Sequence, residues 1–194
     1  MSKEESLTRE KIVFAALGLF SEVGIAKTSV FDVAFRAGVT RVTVYRYFAD
    51  KQALVRETYL FIEQVFQRGL EELEQDPQAD WESVMKRIGE GLSALPETNP
   101  FAGFDELARL YPDVYEAVQE VRVRTLNGIF EHIAERIRRE GQMRPGLNRE
   151  LVQAVFWEMT INIFENPRLK ASGLSGAELY HALLDILLYG ILKS

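Results

Sequence analysis

Apolar residues recur at helical spacing along almost the whole chain, and no stretch sustains the period-two alternation of a half-buried strand. Ile12, Ala16, Leu19 and Phe20 form the inner stripe of a first helix, about Arg9–Val23, with Thr8 expected as N-cap and Gly24 as C-cap. A short second helix is predicted at about Val30–Arg36, capped by Thr28 or Ser29, and a short third at about Arg41–Phe48. A long fourth helix runs from Asp50 or Lys51 to about Glu74. Five more follow, near Trp81–Ala94, Phe101–Leu110, Asp113–Arg139, Arg149–Glu165 and Gly176–Leu192. The prolines Pro77, Pro96, Pro100, Pro112, Pro145 and Pro167 all fall between these runs, as expected of a residue excluded from helix interiors. The pattern predicts an all-α fold of about nine helices, without internal repeat or low-complexity segment.

One stretch sits badly in this scheme. AGVTRVTVYRYFADKQAL, residues 37–54, crowds β-branched residues into a helix, sets Arg46 between two tyrosines, and opens the next helix with a cation at Lys51. Each choice is locally unfavourable, and such departures often mark function. The joint Ala37-Gly38-Val39-Thr40 supplies a glycine for a positive φ, small residues for a close crossing, and a threonine to cap the third helix. This is helix-turn-helix grammar, in which the second helix of the pair enters the major groove. At about 100° per residue, Val44 and Phe48 share the face that docks inward, and Val42, Thr43 and Arg46 point away. Arg41 projects from the first turn. Arginine suits guanine edges, and Val42 or the Thr43 methyl suits a thymine methyl. Tyr45 and Tyr47 are placed to reach phosphates, as is Lys51 at a helix N-terminus. Local pattern alone leaves a second reading open, in which the tyrosine-rich helix is plain core.

Composition narrows the function. The 194 residues are 47% hydrophobic, enough for a real core. There is no cysteine, and the two histidines, His132 and His181, are far apart. A disulfide framework, a metal site and a histidine-based triad are therefore not expected, and neither is a cofactor. No apolar run is long enough to span a membrane, and the polar N-terminus does not resemble a signal peptide, so a cytoplasmic protein is expected. The net charge of −6 is unevenly spread. Residues 1–60 carry nine Lys/Arg against seven Asp/Glu, or +2, whereas the rest carry fourteen against twenty-two, or −8. A mildly basic head on an acidic body suits a small DNA-contacting unit.

The runs IVFAALGLFSEVG, KTSVFDVAFRAGVT and VYRYFADKQAL, within residues 9–54, resemble the DNA-binding head of the TetR family of bacterial transcription regulators. Tyr45, Tyr47, Phe48 and Lys51 stand at that family's spacing, and GQMRPGLNRELV resembles the joint before its eighth helix. The resemblance implies that Tyr45, Tyr47, Lys51 and the helix-two cap, here Thr28, bind phosphates, and that Arg41, Val42, Thr43 and Arg46 face bases. Thr40 is counted with them as the cap of the reading helix. Val42 departs from the glycine or alanine frequent at its position, which bears on base preference. The division expected is a DNA-binding domain at 1–52 and an effector-binding and dimerisation domain at 53–194.

The last helix, LYHALLDILLYGILK, is apolar nearly all round and must be covered on two sides. A two-fold homodimer is expected, in which the last two long helices pair with their copies in a four-helix bundle. Phe156, Leu179, Leu183, Ile186, Leu187 and Gly190 are its expected interface; a monomeric bundle with that helix at its centre is the other reading. The resemblance also implies a small-molecule pocket between the fourth and eighth helices. Phe66, Trp81, Phe104, Tyr111 and Trp157 are its candidate apolar lining, and Asn127, Glu158 and Asn162 its polar groups. Many of those aromatics are equally compatible with ordinary core. The function expected is a dimeric repressor released from a near-palindromic double-stranded operator by a hydrophobic or aromatic effector. The alternatives are a DNA-binding dimer without an effector and an all-helical enzyme. The enzyme would need convergent acids or nucleophiles, and Glu116 and Glu120 read instead as a solvated face.

Overall fold

The computed structural model describes residues 3–76, 81–95, 103–140, 146–162, 166–170, 173–174 and 176–191. Among these the chain is all-helical. The elements are α1 (Lys3–Val23), α2 (Val30–Ala37), α3 (Arg41–Tyr47), α4 (Lys51–Gln75), α5 (Trp81–Ser93), α6 (Phe104–Leu110), α7 (Pro112–Glu140), α8 (Arg149–Trp157), α9 (Pro167–Lys170) and α10 (Gly176–Ile191). Pro112 and Pro167 each open a helix, at the position where a missing N–H costs nothing. Pro77, Pro96, Pro100 and Pro145 lie outside the described residues, and for Trp81, Asn162, Leu187 and Gly190 only the helical backbone is described.

Four local expectations are corrected. α1 begins at Lys3, so Thr8 is not its cap; the Thr8 hydroxyl donates back to the Glu4 carbonyl inside the helix at 2.9 Å. Glu4 and Glu5 occupy the first turn, where a carboxylate suits the helix dipole. Ser29, not Thr28, caps α2. α8 stops at Trp157 and passes straight into a π-helical turn, Glu158–Asn162. The four-residue α9 was not expected at all; the Asn166 side chain accepts from the Arg168 N–H at 3.0 Å ahead of it.

By packing, the chain divides into two compact units, one of residues 1–64 and 95–121, the other of 65–94 and 122–194. α4 and α7 each contribute to both. The first unit is built around Ile12, Leu17, Phe20, Val44, Phe48, Leu54 and Tyr59, all buried, with Phe104 edge-on to Tyr59 at 5.0 Å. Arg9 pairs with Glu57 at its margin. This grouping brings α6 in with the head, a different partition from the one drawn at residue 52 on chemistry alone.

The second unit has Val84, Ile88, Ile129, Phe130 and Tyr180 at its centre. Here α10 packs on α5, and the Tyr180 hydroxyl donates to the Met85 carbonyl at 3.2 Å. Leu179 and Leu183 lie in this core, and Phe156 packs against Phe130 at 5.3 Å. These three were expected to face a second copy, and they face their own chain instead. A helix apolar nearly all round carries no phase, so its inner stripe could not be told from its outer one. The outward apolar positions are Ala182 and Ile186 on α10, the latter 61% exposed, and Leu151, Ala154 and Val155 on α8. No described helix is long and apolar enough to cross a membrane.

Candidate nucleic-acid interface

α2 is fixed at both ends by side-chain chemistry. The Ser29 hydroxyl oxygen accepts from the Asp32 N–H at 3.2 Å, and the Asp32 carboxylate accepts from the Ser29 N–H at 2.8 Å, a reciprocal capping box. These bonds hold the exposed Asp32 carboxyl below the ordinary carboxylate range. At the other end Gly38 takes φ of 68°, and the Val39 N–H returns to the Ala34 carbonyl at 3.0 Å. A residue with a Cβ would be strained in that conformation, so the glycine sets the turn between the two helices.

α3 starts on Thr40, whose hydroxyl oxygen accepts from the Thr43 N–H at 3.0 Å. Val44 and Phe48 are buried, as their spacing requires. Arg41, Val42, Tyr45 and Arg46 are exposed, Val42 at 79%, while Thr43 and Tyr47 are half-buried. The Arg46 guanidinium carbon lies 5.1 Å from the Tyr47 ring centroid, and Nη2 donates to the Tyr47 hydroxyl at 3.3 Å. The helix thus shows solvent a face of two arginines, a valine and a tyrosine, supported from behind by an apolar pair.

The expected phosphate-facing residues are placed less uniformly. Thr28 is 2% exposed, and its hydroxyl donates to the Gly24 carbonyl at 2.8 Å, so its side chain stabilises the α1–α2 turn. Lys51 is half-buried, and its Nζ donates to the Ile25 carbonyl at 2.7 Å. Burial pushes the Lys51 ammonium down, and the Glu106 charge pulls the other way. The misfit of a lysine at the start of α4 is offset one residue earlier, where the Asp50 carboxylate accepts from the Ala53 N–H at 2.7 Å. Pairing by Arg36 and Glu22, at 2.6 and 2.7 Å, ties α2 to α1. That pair and the contacts of Glu106 escaped the sequence reading, because nothing local announces a partner 14 or 80 residues away.

The pocket candidates fall in both units: Phe104 and Tyr111 in the first, Phe66, Asn127, Trp157 and Glu158 in the second. Phe66 packs on Tyr180 at 6.0 Å, and Phe104 on Tyr59, so both serve as core. Asn127, Tyr111 and Trp157 are half-buried. Glu158 was expected among apolar surroundings and is exposed instead. It falls three, four and seven residues after Val155, Ala154 and Leu151, so it continues their outward stripe.

These residues define a helix-turn-helix head in an all-helical fold. Residues 12–58 match the family of bacterial regulatory proteins named tetR, and through this head the chain belongs to the TetR family. It is 37% identical over 95 residues, 49% of its own length, to the HTH-type transcriptional regulator AcrR of Shigella flexneri, and that match spans 40% of the relative. The fold extends further than the sequence match. The ketosteroid transcriptional regulator KstR2 of Mycobacterium tuberculosis superposes with a TM-score of 0.62 at 21% identity, over 96% of this chain and 95% of that one. SmeT, the repressor of the Stenotrophomonas maltophilia efflux pump SmeDEF, superposes with a TM-score of 0.55 at 20% identity, over 99% and 94%.

Proposed function

We propose that this protein is a homodimeric DNA-binding transcriptional regulator, a repressor that leaves a near-palindromic operator when a small hydrophobic or aromatic molecule binds. The observation that carries the reading is the outward face of α3. Arg41, Val42, Tyr45 and Arg46 are exposed together on a helix whose opposite face is buried by Val44 and Phe48. An apolar residue and two arginines left in water on one short helix suit base edges in a major groove. Residues 1–52 carry that contact. Residues 53–194 carry dimerisation and effector binding, with Leu151, Ala154, Val155 and Ile186 supplying an apolar surface for a second copy. Two heads are needed because one short helix reads too few bases.

Release follows from populations. A ligand favouring one spacing of the two heads empties the DNA-competent state only by the ratio of its affinities for the two states. The half-buried Asn127, Tyr111 and Trp157 remain the candidates to touch such a ligand. AcrR and SmeT are named as regulator and repressor, which supports repression over activation. The reading is of a regulator, not an enzyme. The second reading, a DNA-binding dimer without an effector, is supported by the core packing of Phe66 and Phe104.

Selection of bound duplexes from a random pool, with sedimentation of the free and bound protein, tests the proposal. Enrichment of an inverted repeat bound by two chains is expected. Recovery of no sequence by a monomeric chain at low salt sinks it.

A further inference from the structure

The α1–α2 turn is gripped by two side chains that arrive later in the chain. Glu106, in the first turn of α6, accepts from the Ile25 N–H at 2.6 Å and from the Ala26 N–H at 3.1 Å. Lys51, at the start of α4, donates to the Ile25 carbonyl at 2.7 Å. The Ile25 side chain is itself fully buried. Gly24 has φ of 90°, and a Cβ built there would stand 2.8 Å from the Glu106 carboxylate, so that carboxylate fills the space any other residue would need. Three residues later the chain enters Thr28 and Ser29, the root of α2. α6 belongs to the same compact unit as α1, α2 and α3.

We propose that Glu106 is a positioning residue of the DNA-binding face: it touches no DNA, and it sets the affinity by holding the backbone of the α1–α2 turn and, through Ile25, the reach of Lys51. The inference rests on the reading of the head as DNA-binding. Two effects of Glu106 oppose each other. Its negative charge behind a phosphate-facing lysine disfavours DNA, but solvent and salt screen that repulsion over several ångströms. Its two bonds to successive N–H groups are charge-assisted and short, and without them the turn keeps two buried or half-buried donors unpaired. The second effect is the larger, so loss of the carboxylate weakens binding. Arg109, 3.8 Å from Glu106 on α6 itself, stays beside the carboxylate in any arrangement of the turn and adds nothing to the grip.

The test uses the full chain and a fluorescent duplex selected from a random pool, titrated across a series of KCl concentrations. The variants are Glu106→Ala, Glu106→Gln, Gly24→Ala, Lys51→Ala and the double Glu106→Gln/Lys51→Ala, with melting curves for each. Glu106→Ala and Gly24→Ala are expected to bind about tenfold more weakly, the scale of one or two lost charge-assisted bonds. They keep the wild-type salt slope, since no phosphate contact is removed. Glu106→Gln falls between, because its amide oxygen still accepts one N–H. The double variant loses less than the sum of its parts. The amide proton resonances of Ile25 and Ala26 move upfield in Glu106→Gln, in a chain still folded. Wild-type affinity in a folded Glu106→Gln whose Ile25 and Ala26 resonances have moved overturns the inference, as does strict additivity with Lys51→Ala. A wild-type chain that binds no duplex defeats the DNA-binding reading itself, a separate failure.

Discussion

Arg46 lies over the ring of its neighbour Tyr47, with 5.1 Å between guanidinium carbon and ring centroid and 3.3 Å between Nη2 and the hydroxyl. The arginine on the outward face of α3 is therefore braced before any DNA arrives. Bracing lowers the entropy lost when it pairs with a base. Arg46→Ala is expected to cost about 1–3 kcal/mol at particular base pairs and to relax preference there. Lys51→Ala is expected to weaken every duplex alike and to lower the salt slope by about one. Affinities for single-base operator variants at several salt concentrations check the pair; matching effects at all sites contradict this division.

The capping box of α2 makes a stability prediction. Ser29→Ala removes an acceptor for the Asp32 N–H and is expected to cost about 1 kcal/mol. Urea unfolding measures it, and an unchanged midpoint shows that the cap is idle.

The same box gives a pH dependence. Asp32 is held below its ordinary value of 3.8, first by the Ser29 hydroxyl and then by the Ser29 N–H. A depressed folded value means that the contribution is present above the unfolded value and is lost as the pH falls through the folded one. The fall in melting temperature below about pH 4 should therefore be shallower in Asp32→Asn than in the wild type. Parallel acid limbs for the two proteins refute the assignment.

Ile186 and Val155 supply the test of assembly. Each is exposed, so a glutamate at either leaves the fold intact, with a stability change expected within about 0.5 kcal/mol. In a dimer the same charge is buried. Ile186→Glu/Val155→Glu is expected to sediment as a monomer and to lose most operator affinity while melting as a folded chain. A double variant that remains dimeric moves the interface elsewhere.

Gly103 tests the packing under the head. A Cβ there would fall on the Tyr59 hydroxyl, and Tyr59 is boxed in by Phe20 and Phe104. Gly103→Ala is expected to destabilise by about 1–3 kcal/mol, the usual range for overpacking. A variant as stable as the wild type would mean that the ring yields freely.

The reading helix was legible because its signals are local. Thr40, Gly38 and the four-residue spacing of Val44 and Phe48 lie within eleven residues, and each acts on its neighbours. Thr8 misled because a threonine ahead of an apolar run looks like a cap, while Glu4 and Glu5 had already made a helix start six residues earlier. The inward turn of Phe156, Leu179 and Leu183 was illegible for another reason: leucine at every third or fourth position fits several phases equally. Glu106 could not be found by any local rule, since it meets the turn only once the chain has folded.

The π-helical turn at Glu158–Asn162 carries one further consequence. Such a turn closes its hydrogen bonds over five residues instead of four, so it absorbs a surplus residue without breaking the rod. Side chains beyond it are rotated by about 100° relative to an uninterrupted α8. Deleting a single residue inside that turn should straighten the rod and swing everything downstream to a new azimuth, whereas the same deletion one turn earlier would misalign Leu151 and Val152 directly. Tolerance of one-residue deletions along this rod should therefore peak at the bulge.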